Sequence, residues 1–101
     1  SLHDALPILE YNELIGRIAY SKAGRDQGRF FIIFDVINDD YVNIVDGDLR
    51  TVEKPKKKKI KHLQITDEVM EDARDMIISN NSISNIKVRR FLKNRDAIKE
   101  G

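Results

Sequence analysis

The stretch Arg29 to Ile37 reads Arg-Phe-Phe-Ile-Ile-Phe-Asp-Val-Ile, β-branched and aromatic almost without interruption, and no other feature of the chain constrains its fold as much. Rings and side chains branched at Cβ lose freedom in a helix and fit a pleated surface, so this run reads as a central strand. Successive strand residues point to opposite faces. Phe30 and Phe31 therefore cannot share one core: one lies inside, and the other is covered by another part of the chain or by a partner.

The flanking segments suggest strands that pair with this one. Leu14 to Tyr20 is a short apolar run around one Gly and one Arg, read as the first strand. Between them Lys22-Ala23-Gly24-Arg25-Asp26-Gln27-Gly28 is a polar loop in which Gly24 and Gly28 supply the backbone angles that a chain reversal needs. Asn38-Asp39-Asp40 closes the next turn. Tyr41–Val45 and Leu49–Val52 read as two more strands around Asp46-Gly47-Asp48, with Gly47 at the turn, because an Asp-Gly pair between apolar runs signals a hairpin. Lys54-Pro55-Lys56-Lys57-Lys58-Lys59 reads as a break, since Pro cannot donate to a ladder and adjacent ammonium groups repel. Ile60 to Ile65 returns as a last strand. Five short strands meandering without an intervening helix imply a small, partly open antiparallel barrel of SH3-like size, because closure hides sheet edges.

At Thr66 the period changes. Thr66-Asp67-Glu68 offers a capping hydroxyl and two carboxylates to a helix N-terminus, and Val69, Ala73, Met76 and Ile77 recur at helical spacing up to Asn80-Asn81. Ser84 caps a second helix that carries Ile86, Val88, Phe91 and Leu92. The fold class is thus mainly β: a barrel over residues 9–65 with a two-helix C-terminal appendage over 66–101. Residues 1–8, Ser-Leu-His-Asp-Ala-Leu-Pro-Ile, resemble the translation of a sequencing adapter, are expected to be disordered, and carry no weight for fold or function.

A chain of 101 residues has room for one small core, which excludes a multidomain enzyme. With no cysteine there is no disulfide scaffold, thiolate metal site or cysteine nucleophile. No apolar run has the length of a membrane span, no signal peptide is evident, and the expected location is cytoplasmic. No phosphate-loop, nucleophile-elbow or metalloprotease motif is present, and His62 sits beside Lys61 with no carboxylate near it in sequence. Asp39, Asp40, Asp46 and Asp48 lack the spacing of a calcium loop and read as turn acids. No metal, cofactor or catalytic residue is expected.

The charge is informative because it is segregated. A net charge of +1 divides into −3 over residues 1–15, +4 over 16–65, −4 over 66–82 and +4 over 83–101. The two helices carry opposite charge and could pair. Within the barrel segment, Lys54, Lys56, Lys57, Lys58, Lys59 and Lys61 form one basic cluster, and Lys22, Arg25, Arg29 and Arg50 form a second around the loop and the Asp-Gly turn. Lysines neutralise phosphates well but read sequence poorly, so two such patches on one small barrel favour a polyanion. Tyr20 and Tyr41, at strand ends, are candidates for stacking on bases, with core packing the stronger reading of the aromatics.

The stretch from Gly16 to Ile33, with its Ser21-Lys22-Ala23-Gly24-Arg25-Asp26 and the glycine Gly28, resembles the KOW motif. Tyr41 to Lys59, with Val45-Asp46-Gly47-Asp48-Leu49-Arg50 and the Lys-Pro-Lys run, is similar to bacterial KOW-domain RNA-binding proteins related to the archaeal and eukaryotic large-subunit ribosomal protein L-fourteen-e. The resemblance covers about Gly16 to Ile65. It implies an SH3-like barrel that binds ribosomal RNA through its loops, with Gly28 as the motif glycine and the basic residues near it as contacts. Large-subunit ribosomal proteins are further expected partners. The alternative is an adaptor in transcription or translation whose barrel contacts protein. Neither the N-terminus nor the helical tail takes a role from the motif.

Overall fold

The computed structural model describes residues 12–80 and 83–100; the N-terminal octapeptide lies outside the described residues. The elements are β1 (Arg17–Ser21), β2 (Phe30–Val36), β3 (Tyr41–Val45), β4 (Lys56–Lys59), a 3-10 turn at Ile60–His62, β5 (Leu63–Val69), α1 (Glu71–Asn80) and α2 (Asn85–Glu100). The strands form one antiparallel sheet in the order β4-β3-β2-β1-β5, with the aromatic run at its centre. The protein is mainly β with two C-terminal helices, as the sequence implies.

Both faces of the sheet are covered. Ala19, Phe31, Ile33, Val42, Ile44 and Leu63 bury one another on one side. Ile18, Ile32 and Val45, on the other side, pack with Ala73 and Ile77 of α1, with Ile83, and with Val88 and Leu92 of α2. Phe31 is fully buried in the first layer, while Phe30 packs on the second, with its ring edge-on to Tyr20 at 5.1 Å. The appendage therefore supplies the cover that the alternation of β2 requires.

The sheet curls because its ladders are irregular and its corners are tied. Against β3, the register of β2 shifts from Ile33↔Ile44 to Asp35↔Asn43, so β2 carries an extra residue near Phe34. Against β1, Ala19↔Ile65 is followed by Arg17↔Val69, so four steps along β5 match two along β1. The 3-10 turn links opposite corners: the Ile60 N–H donates to Asp40 O at 2.8 Å, and the Lys22 N–H donates to His62 O at 2.9 Å. This geometry is compatible with a small, partly open barrel.

Four local expectations are corrected. Leu14 and Ile15 precede the first strand, which starts at Arg17 because Gly16 turns the chain at φ +86°. No strand forms at Leu49–Val52: the Asp46 and Gly47 N–H groups both donate to Arg50 O, and the Asp46 carboxylate accepts the Asp48 and Arg50 N–H groups at 2.9 Å. Those amides are satisfied locally, so the Asp-Gly pair makes a folded loop and no hairpin. The lysine run, expected to break the pattern, is strand β4, an edge strand paired with β3 from Tyr41↔Lys59 to Ile44↔Lys56. Alternation sends neighbouring ammonium groups to opposite faces, which relieves the repulsion. Thr66, expected to cap a helix, lies in β5 with its hydroxyl donating to Ile18 O at 2.7 Å, and α1 begins only at Glu71.

The second helix starts as its sequence suggests, with Ser84 Oγ accepting the Lys87 N–H at 3.2 Å. Among the described residues no ion pair joins the oppositely charged helices; they meet the sheet through their apolar faces.

Candidate nucleic-acid interface

Two loops converge at the end of the sheet, the one between β1 and β2 and the one between β3 and β4. Gly28 closes the first, at φ +88°: its N–H donates to Ser21 O at 2.9 Å, and the Ser21 N–H donates to Arg29 O at 3.0 Å. Gly24, at φ +83°, and Gly47, at φ +78°, also occupy the left-handed region that other residues avoid. At Gly47 there is a further reason for glycine, because an added Cβ would collide with Asn85 O and stand 3.0 Å from Arg89 Cγ.

Two buried carboxylates join the loops. Asp26 receives a two-pronged contact from Arg50, with Nη2 to Oδ2 at 3.0 Å and Nε to Oδ2 at 3.2 Å. Asp46 receives Arg29 Nη2 at 2.7 Å in addition to its two backbone amides. Each pairing spans from the β1–β2 loop to the β3–β4 connection, so the two are joined by two ion pairs. A third tie comes from β4. Lys58 is 8% exposed, on the same side of its strand as Lys56, and its ammonium donates to Ala23 O at 2.8 Å.

The basic residues singled out by sequence thus divide by position. Arg29, Arg50 and Lys58 direct their charged groups at protein acceptors. Lys57 and Lys59 lie over the ring of Tyr41, their Nζ atoms 4.6 and 5.8 Å from its centroid. Lys22, Arg25, Lys54, Lys56 and Lys61 are exposed and form no ion pair among the described residues. Lys22 is tied to the 3-10 turn beside Lys61 through the His62 carbonyl, and the Ala23 carbonyl seats the same loop on β4. The loop that carries Lys22 and Arg25 therefore lies against both the lysine strand and the 3-10 turn.

Sequence reasoning gave α2 no part in this surface, yet its cations border it. A groove of about 430 Å3 runs between Gly28, Arg29 and Phe30 on the barrel and Arg89, Leu92 and Lys93 on α2. Arg89 Nη1 donates to Gly47 O at 2.6 Å. Asn85 serves as a clamp: its Oδ1 accepts the Val52 N–H at 2.8 Å and its Nδ2 donates to Glu53 at 2.8 Å, which holds the Glu53 carboxyl below its ordinary range. The charge of the 83–101 segment was the signal for these cations; nothing in the sequence signals the Asn85 contacts. Among the described residues no group of three or more His, Asp or Glu side chains is placed to hold a metal, and no helix is long and apolar enough to cross a membrane.

Fold and surface together define a class: a small, curled β-sheet domain whose loops and edge strand present lysines and arginines around a rigid, ion-paired base. Comparison with known proteins narrows it. The chain is similar to the large ribosomal subunit protein eL14 of Desulfurococcus amylolyticus, 45% identical over 53 residues that make up 52% of this chain and 55% of that protein. It is also similar to the large ribosomal subunit protein eL14 of Staphylothermus marinus, 35% identical over 60 residues, 59% of this chain and 62% of that protein. The matched part is little more than half the length of either relative. No family model matches.

Proposed function

We propose that the chain is a non-catalytic RNA-binding protein that joins the large ribosomal subunit and holds ribosomal RNA by its phosphates. The observation that carries this reading is the Lys58 crossbar. By binding Ala23 O it sets the Lys22–Arg25 loop on the lysine strand, so that exposed cations distant in sequence are carried by adjoining elements. The similarity to eL14 supports the ribosomal context. Tyr41, paired across β3–β4 with Lys59, keeps two of the lysines extended over its ring and limits the entropy lost when they meet phosphate.

Affinity for a ribosomal RNA fragment, measured by fluorescence anisotropy across a salt series, tests the reading. With about four to six phosphate contacts, log affinity should fall against log salt with a slope of about −3 to −5. A slope near zero would exclude a phosphate-binding surface and favour a barrel that contacts protein.

A further inference from the structure

We infer that the corner where β3 meets the 3-10 turn is a subsite for one unpaired guanosine of the bound RNA; the inference rests on the RNA-binding reading above. A cavity of about 460 Å3 opens there, lined by Asp39, Asp40, Tyr41, Lys59, Ile60 and Lys61. Its size falls in the range of about 300–1,000 Å3 found for small-ligand sites. The rest of the basic surface offers point charges, which hold a backbone without reading a base. This cavity adds what base recognition requires: a ring and an aliphatic side chain for the face of a base, two ammonium groups for the adjoining phosphate, and carboxylates for the donor edge.

The ring of Tyr41 already serves as a platform for the lysines of β4. A base stacking there would replace an ammonium by a π-face and release that lysine to the phosphate, so the exchange keeps both groups partnered. The carboxylate selects the base. It can only accept hydrogen bonds. Guanine alone presents two adjacent N–H donors on its pairing edge; adenine and cytosine place an acceptor beside their amino group, and uracil flanks its single N–H with carbonyls. Each of those three sets a lone pair against a carboxylate oxygen. Asp40 is suited to the role because its main chain is fixed on both sides, the N–H donating to Asn38 Oδ1 and the carbonyl accepting from the Ile60 N–H, each at 2.8 Å.

The probe is an RNA hairpin with one guanosine among loop uridines, compared with the same hairpin carrying adenosine there, at one salt concentration. Wild type is expected to prefer the guanosine hairpin about tenfold, the scale of one good two-pronged contact. Asp40→Asn should lose the preference while keeping its salt dependence, Tyr41→Ala should lose it, and Tyr41→Phe should retain it. Equal binding of both hairpins by wild type with a normal salt slope overturns the subsite and leaves the phosphate-binding reading intact. An Asp40→Asn variant that still prefers guanosine also overturns it, and a wild type that binds neither hairpin overturns both readings.

Discussion

Lys58 separates the two meanings a lysine run can have, and its substitution gives the sharpest test of the structure. The side chain is buried beside Val42, its cross-strand partner, and its ammonium reaches Ala23 O at 2.8 Å. In Lys58→Met the stem remains and the donor is lost, leaving the Ala23 carbonyl without its charged partner. Hydrogen bonds to charged groups contribute about 1.5–3 kcal/mol, and part of the loss is recovered because a neutral side chain no longer has to be desolvated, so we expect a cost of about 1–2 kcal/mol. Lys58→Ala also removes the three methylenes beyond Cβ, each worth about 0.8 kcal/mol when buried, which brings the expected total to about 3–4 kcal/mol. Lys56→Ala, at an exposed position of the same strand, should stay within about 0.5 kcal/mol of wild type.

Equilibrium urea denaturation gives these differences, and an RNA salt series on the folded variants adds the second dimension. On the proposed RNA-binding reading Lys56 meets a phosphate, and the slope of Lys56→Ala should become shallower by about 0.7–0.9. Lys58→Met should weaken RNA binding with the slope unchanged, because it releases the loop that carries Lys22 and Arg25 without removing a phosphate contact. A Lys58→Met protein with wild-type stability and a slope shallower by about one unit would refute the crossbar and place Lys58 among the phosphate-binding lysines.

Other consequences follow from the same surface. Arg50→Met leaves the buried Asp26 carboxylate uncompensated and should cost about 3–5 kcal/mol in urea denaturation, whereas Arg50→Met with Asp26→Leu should recover most of that loss. Gly28→Ala meets only Tyr20 Oη, at 3.8 Å, so it should lose about 1–2 kcal/mol to backbone strain alone; Gly47→Ala adds a collision with Asn85 O and should be the more damaging of the two by thermal melting. The Glu53 carboxyl, held low by the Asn85 amide, should titrate closer to an ordinary glutamate in Asn85→Ala when followed by NMR. Because its folded value is depressed, that contact supports the fold above the ordinary glutamate range and is lost as pH falls through the folded value; an unchanged Glu53 titration in Asn85→Ala would deny the clamp.

The strands legible in the sequence are those whose own residues are β-branched, aromatic or alternately apolar. The run at 29–37 forms β2 as Phe30–Val36, and Tyr41–Val45 is a strand with the bounds read from its residues. Elsewhere the sequence contained a valid local signal that a distant group overrode. Asp-Gly at Asp46-Gly47 normally starts a hairpin, but Asp46 is drawn into the interior by Arg29 and takes up the amides that a hairpin would have left for a neighbouring strand. Thr66 is a good helix cap in isolation; Ile18 O, far away in the chain, takes its hydroxyl for the sheet. Gly16 looks like a dispensable glycine inside an apolar run until α1 is placed on it, where Arg74 Cβ would stand 2.8 Å from an added Cβ.

The site was legible in composition and hidden in orientation. That basic residues cluster at 22–29 and 54–61 is plain from counting charges, but which of them face solvent depends on whether Lys56–Lys59 is a loop or a strand. Repulsion between four ammonium groups argues for a loop only if all four share one environment. On an edge strand they do not: Lys57 and Lys59 rest on Tyr41, Lys58 turns inward to a carbonyl, and Lys56 remains in water. The alternation that relieves the repulsion also separates the positions, giving the candidate interface its outward cations and, one residue away, an internal lysine bonded to the neighbouring loop. A run of identical residues can therefore occupy distinct environments, because strand geometry distinguishes positions that composition cannot.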